Sequence, residues 1–286
     1  MQDSSKENSI IAEKDNIYHW GNVMIELNIR TQPNDETCGP TSLHAIYHYY
    51  GKTITLNEVI ETIEHSASGG TLSPLLGKHA LMNGFNATIY VNQLDLFDPT
   101  WFKKSRAPNE ALLVKLKSQD KFKQSKNLLL ASKAYQDFLT LGGEIRFKTV
   151  DVQLLKEYFS QNIPILTGLS STYLYRTSRE LFTQEGVSFF DDIQGTACGH
   201  FVVLCGYDEK RRKVVVADPF RENPLSKNNF YKVSIARLIN AIMLGAQTYD
   251  ATLLMISPKP EEVKEEVKEE VEKKTTVKEK QVKNKK

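Results

Sequence analysis

The sequence predicts an α+β fold, with a helical N-terminal part packed on a C-terminal antiparallel sheet. Two observations lead there. Helical periodicity is concentrated between Cys38 and Thr140, whereas short apolar runs of the strand type cluster in the last third. The two kinds of segment are segregated and do not alternate as βαβ units. With 286 residues, 40% of them hydrophobic, the chain can bury the core of one large domain or two small ones.

Residues 1–20 read as a flexible lead-in. Val23 to Ile29 alternates loosely and predicts a strand, followed by the polar turn Thr31 to Thr37. A helix then starts near Cys38, with Leu43, Ile46, Tyr47 and Tyr50 at i, i+3, i+4 and i+7 and Gly51 as its stop. Two more helices are predicted over Leu56–His65 and Thr71–Asn83, and a strand over Phe85–Val91. The stretch from Ala107 to Thr140 is helical and rich in Lys, Leu and Gln. Ile145–Val150 is a short strand, Val152–Phe159 a helix, and Pro164–Leu169 a buried strand. Phe201–Tyr207, Lys213–Ala217, Phe230–Val233 and Ala251–Ile256 then read as strands, with a helix at Ile235–Leu244. Residues 21–257 form the predicted domain, and 258–286 a Lys/Glu-rich tail.

Charge excludes several function classes. The formal net charge is +2, and Lys259 to Lys286 holds 10 Lys and 8 Glu, so the tail carries all of it. The remainder offers no basic surface for nucleic acid. The tail has too few apolar groups to build a core, so a solvated, disordered state is expected, with a docking partner or coiled coil as the alternative. Met1 to Asn16 lacks the basic and apolar regions of a secretory signal, and no run of 18 apolar residues predicts a membrane span. Three cysteines make no disulfide framework, which fits a reducing cytoplasm. Nothing in the sequence points to a cofactor or a metal.

The chemistry concentrates in two places. Gln32 precedes Cys38-Gly39-Pro40-Thr41-Ser42 by six positions. A thiol at a helix start meets the positive end of the helix dipole and the unpaired first-turn amides, which favour thiolate. Pro40 suits a first turn, and Gly39 leaves the approach to the sulfur open. The Gln32 side-chain amide and the Cys38 N–H are suited to an anion developing on a carbonyl oxygen. Later, Gly199-His200 opens an apolar strand, and Asp218 closes the next one after Val214-Val215-Val216-Ala217. Pairing those strands as a hairpin about Asp208–Arg212 brings His200 and Asp218 to one end. Asp218 can then orient the imidazole toward the thiol. A lone Cys is more often a small hydrophobe. All four residue types in this order are harder to obtain by chance.

The run QPNDETCGPTSLHAIYHYYG resembles the nucleophile segment of papain-like cysteine peptidases, and most of all the double-glycine leader (bacteriocin-processing) peptidases and their stand-alone relatives. GHFVVLCGYD and VVVADP are similar to the histidine and aspartate segments of that branch, and GGTLSPLLGKHALMNGF and NIPILTGLS add weaker similarity. The resemblance implies a bacterial, papain-like peptidase. Gln32 would be the oxyanion-hole amide, Cys38 the nucleophile, His200 the base and Asp218 the orienting acid. The substrate would be a peptide, a protein or another amide, cut through an acyl-enzyme. Resolution of that intermediate by an amine would make a transferase, and a catalytically idle binding module is the further alternative. Two departures stand out. The membrane and ATP-binding domains of exporter-linked members are not in this sequence. A helical insertion at about 95–140 is expected to cover the cleft or shape the substrate.

Other residues invite weaker readings. His44 and His48 have i, i+4 spacing but lack the glutamate of HExxH. Cys198 shares parity with His200, so packing or a reversible disulfide with Cys38 is open to it, whereas Cys205 points to the core. Asp191, Asp192 and Asp208 are alternative partners for His200, less apt because they read as loop or turn positions.

Overall fold

The computed structural model describes residues 23–259 except 66–69, 183–187 and 250. The lead-in and the tail beyond Lys259 lie outside them. In chain order the strands are β1 (Val23–Met24), β2 (Phe85–Val91), β3 (Glu144–Arg146), β4 (Ile165–Ser170), β5 (Glu180–Phe182), β6 (Ser188–Phe190), β7 (Gly199–Asp208), β8 (Lys213–Ala217), β9 (Phe230–Ser234) and β10 (Thr252–Pro258). The helices are α1 (Cys38–Tyr49), α2 (Leu56–Thr62), α3 (Ser73–Met82), α4 (Asn109–Asp120), α5 (Lys126–Thr140), α6 (Val152–Phe159), α7 (Ser171–Tyr175) and α8 (Ile235–Leu244).

The α+β class holds, but the sheet is not confined to the C-terminal part. Eight strands form one sheet in the order β3-β2-β10-β4-β7-β8-β9, with β1 on β7. The early strand β2 pairs along its whole length with the last, β10, from Phe85 opposite Pro258 to Val91 opposite Thr252. Every pairing is antiparallel except β2 with β3. The segment Ile165–Ser170 is buried at every position, as a continuous apolar run inside a sheet requires.

The strand expected over Val23–Ile29 is only two residues long. β4 already occupies one edge of β7 from Gly199 to Leu204, and β1 takes what is left, opposite Gly206 and Tyr207. The alternation is nevertheless real. Ile25, Leu27 and Ile29 are buried while Glu26 and Asn28 are exposed.

The helical stretch before Thr140 resolves into α4 and α5. Phe138 on α5 is fully buried, and Cβ atoms at Gly77 on α3 and at Gly143 would stand 2.6 and 2.3 Å from its ring. Two glycines thus make the notch that seats the insertion on α3. The Asn109 side chain fastens α4 to the same corner through the carbonyls of Leu139 (3.2 Å) and Gly143 (2.9 Å). The insertion therefore sits at the β3–β2 end of the sheet, with β10 and β4 between it and β7.

Most helices start on a side-chain cap. Thr55 and Glu58 form a capping box on α2, and Ser125, Asp151 and Ser234 accept the amides of Leu128, Leu154 and Arg237. α1 does not.

Candidate active site

Thr37 stands at the N-cap of α1 without capping it. Its hydroxyl accepts from the Asn34 N–H at 3.3 Å and donates to the Asn34 carbonyl at 3.0 Å, closing the turn on itself. The first-turn amides keep no side-chain acceptor, at the positive end of the dipole. Half-buried Cys38 is the first residue of that turn. Gly39 does not keep the approach to the sulfur open, as the sequence reading has it. It is buried, and a Cβ there would stand 2.4 Å from Thr71 Cγ2. Its role is to let α1 press onto the core. Ser42 ties the helix to β7 by donating to the Phe201 carbonyl at 3.2 Å.

His200 and Asp218 meet as the hairpin argument expects. Val203 pairs with Ala217 across β7 and β8, so the residue after Ala217 lies beside the start of β7. His200 Nε2 is 2.8 Å from Asp218 Oδ1, and both residues are buried. The Cys38 side chain lies beside the same ring and adds to the upward shift of its pKa. With Nε2 committed to Asp218, the nitrogen left for the sulfur is Nδ1.

Asp218 is enclosed. Oδ1 also accepts the Phe220 N–H at 2.8 Å, and Oδ2 accepts the hydroxyls of Tyr175 and Tyr231, each at 2.7 Å. Four donors fill the lone-pair positions of a carboxylate. Asn229 clamps the Asp218 backbone from both sides: its side-chain amide donates to the Asp218 carbonyl at 2.7 Å, and its carbonyl accepts the Asp218 N–H at 2.8 Å.

Gln32 is brought to the same corner. Its backbone N–H donates to the Pro219 carbonyl at 2.9 Å, tethering the loop before Cys38 to the residue after Asp218. Its side-chain Nε2 donates to the Asn34 carbonyl at 2.9 Å, and its Oε1 is buried with no partner among the described residues. One of the two amide protons is thereby used within the turn, and the second is free to donate.

These contacts set the charges. Burial disfavours a charged His200, but the charge and hydrogen bond of Asp218, with Cys38, override it and push its pKa up to about 10. Burial likewise works against an ionised Asp218, yet His200 and the two phenols hold its carboxyl below the usual range. Burial and then the Asp218 charge push Tyr175 and Tyr231 well up, so both stay protonated donors.

The other candidates lie elsewhere. Cys198 and Cys205 are free thiols pushed up to about 12, Cys205 by burial and Cys198 by burial and then the charge of Glu180. Asp208 is held down to about 2 by Lys232 and Arg211 at the far end of the β7–β8 hairpin. Asp191 accepts the amides of Ile193 and Gln194 in its own turn. The rings of His44 and His48 lie 6.5 Å apart, and among the described residues no cluster of three metal-ligating side chains occurs. Tyr175, Tyr231 and Asn229 escape sequence reasoning. Tyr231 reads as an ordinary strand aromatic, and α7, which carries Tyr175, is too short for periodicity to reveal.

Solved structures that resemble the chain include three peptidases. A double-glycine motif protease from an AMS/PCAT transporter, in complex with the leader peptide, shares 14% identity over 84% of this chain and 97% of that one, with a TM-score of 0.37. The peptidase domain of Streptococcus ComA, a bifunctional ABC transporter involved in quorum sensing, shares 11% over 82% and 100%, at 0.38. Xylellain, a cysteine protease from Xylella fastidiosa, shares 12% over 83% and 86%, at 0.39. All three likenesses are distant. No curated protein matches the chain. The model of the Peptidase_C39 like family matches residues 24–241, well over half of the sequence, and the chain belongs to that family of cysteine-type peptidases.

Proposed function

We propose that the chain hydrolyses peptide bonds through an acyl-enzyme on Cys38, with His200 as acid and base, Asp218 as the orienting carboxylate and Gln32 in the oxyanion hole. The observation that carries this reading is His200 held between Asp218 at 2.8 Å and the Cys38 side chain, with its proton affinity raised. An imidazole in that setting keeps its proton at neutral pH, and a cationic ring beside a sulfur favours attack by the thiolate form.

The thiolate attacks the carbonyl carbon of the scissile bond, and the carbonyl electrons move to oxygen. The Cys38 N–H and the free proton of the Gln32 amide receive that oxyanion. As the C–N bond breaks, His200 gives its Nδ1 proton to the departing amine and a thioester is left. Water then attacks the thioester while neutral His200 takes its proton, releasing the acid product and the thiolate–imidazolium pair. Asp218 keeps Nε2 protonated and the ring in place throughout, without taking the proton.

The test is a pool of peptides derived from a whole proteome, incubated with the protein and read by mass spectrometry for new termini. Wild-type protein is expected to generate them, and Cys38→Ala and His200→Ala to lose at least about a thousandfold in rate. Cleavage that persists undiminished in Cys38→Ala would sink the reading.

A further inference from the structure

A groove of about 300 Å³ opens beside the start of β7, walled in part by Ser170, Thr172, Tyr173, Arg176, Arg179 and Ala197. It adjoins the site already described. Ser170 is the register partner of Gly199, the residue before His200. Thr172 Oγ1 accepts the Cys198 N–H at 3.0 Å, and Tyr175, next to Arg176, donates to Asp218.

The charged side chains lining this groove are Arg176 and Arg179, with Asp191 close to Arg179 and Glu180 against Cys198 at its edge. Arg179 serves the fold, donating to the carbonyls of Asp192 and Ile193. Arg176 does not: among the described residues it forms no ion pair. Arg237 on α8 lies near it, with a buried Nε–H that has no acceptor among the described residues. Burial and then the charge of Arg176 weaken the hold of Arg237 on its proton. Arg176 is exposed, so its repulsion with Arg237 is modest, and an anion bound between them would relieve it. Arg176 also takes the left-handed conformation at the end of α7, with φ of 57°. A non-glycine residue pays for that conformation with roughly 1–2 kcal/mol.

We propose that this groove is a specificity subsite for a carboxylate of the peptide substrate, with Arg176 pairing to it and Arg237 strengthening the local positive field. It rests on the reading of Cys38 and His200 as the reacting pair only for the statement that the bound peptide is cut. The carboxylate is an Asp or Glu side chain or the peptide's own C-terminus, and both present the same planar pair of oxygens to a guanidinium.

Two measurements with one randomised peptide pool, prepared C-terminally amidated and as free acids, test it. In the first, wild-type protein cuts the pool and the residues around each new terminus are counted. In the second, immobilised Cys38→Ala protein retains peptides without cutting. Acidic residues are expected to be enriched about tenfold at one position in both, corresponding to one charge-assisted contact. If only free acids are enriched, the terminal carboxylate is the ligand. Arg176→Gln should abolish the enrichment and Arg176→Glu should turn it toward Lys and Arg, in variants whose melting temperature stays near that of wild type. Arg237→Gln should weaken it. No excess of acidic residues and none of free acids over amides on the Cys38→Ala protein, or an excess unchanged in Arg176→Gln, overturns the proposal. If the wild type cuts nothing while the Cys38→Ala protein still selects carboxylates, the hydrolytic reading fails and the subsite stands.

Discussion

At the scale of single residues, the arrangement turns on how completely Asp218 is satisfied. A buried carboxylate is costly unless each lone pair has a donor. Here His200, the Phe220 amide and two phenols supply four. Tyr175→Phe or Tyr231→Phe removes one donor from a charged acceptor, with an expected loss of about 1.5–3 kcal/mol in stability by denaturant unfolding. The same change relaxes the hold on the carboxyl, so the acid limb of the kcat/KM profile should move to higher pH. A phenol of purely structural importance would leave that limb in place. His200 gives a second pH dependence. Its folded value of about 10 lies above the ordinary 6.5, so its contribution to stability is complete below about 6.5 and is lost as pH rises through 10. Asp218 has the opposite sign, its contribution being present at neutral pH and lost as pH falls through its lowered value. Melting curves between pH 6 and 11 should therefore fall more steeply for wild type than for His200→Gln. The placement of Cys38, His200, Asp218 and Gln32 was legible in the sequence because each sits at a marked boundary: a helix start, a strand mouth, a strand end, a polar turn. The phenols that complete Asp218 carry no such mark.

Between elements, glycines decide how closely the parts approach. Gly39 lets α1 pack on Thr71, Leu76 and Phe201. A methyl 2.4 Å from Thr71 Cγ2 must displace the helix or the threonine, so Gly39→Ala should cost about 1–3 kcal/mol and reduce Cys38 reactivity together with it. Phe138 makes the contrasting case. It anchors the insertion to α3 at Gly77, and α3 packs on β2, whereas Asp218 follows β8. Phe138→Ala should lower stability by about 3–5 kcal/mol, yet leave the alkylation rate of Cys38 unchanged in the folded fraction at low temperature. A matching fall in both would mean that the insertion reaches the cleft, which it is expected from the sequence to cover. The existence of these elements was legible from periodicity, while the break between α4 and α5 was not. Lys121 to Ser125 contains neither glycine nor proline to announce it.

At the scale of the molecule, the sheet is closed by pairing β2 with a strand that begins about 160 residues later. Periodicity records that a segment is a strand and not which strand it meets, so the central place of β10 between β2 and β4 was not legible. That place has a consequence. A chain ending at Lys259 keeps β10 and should fold with unchanged cooperativity, whereas one ending before Thr252 loses the strand joining the two parts of the sheet and should not fold. Circular dichroism on the two truncations checks this. The central claim concerns one thiol among three. Cys198 and Cys205 are held protonated by their surroundings, while Cys38 faces a charged imidazole at an uncapped helix start. The most direct measurement is the rate of iodoacetamide labelling at each cysteine at pH 7, read by peptide mass spectrometry in wild type and His200→Ala. Cys38 is expected to react at least about a hundredfold faster than the other two, with most of that advantage lost in the variant. Equal labelling of all three thiols, or a fast Cys38 indifferent to His200, would contradict the account.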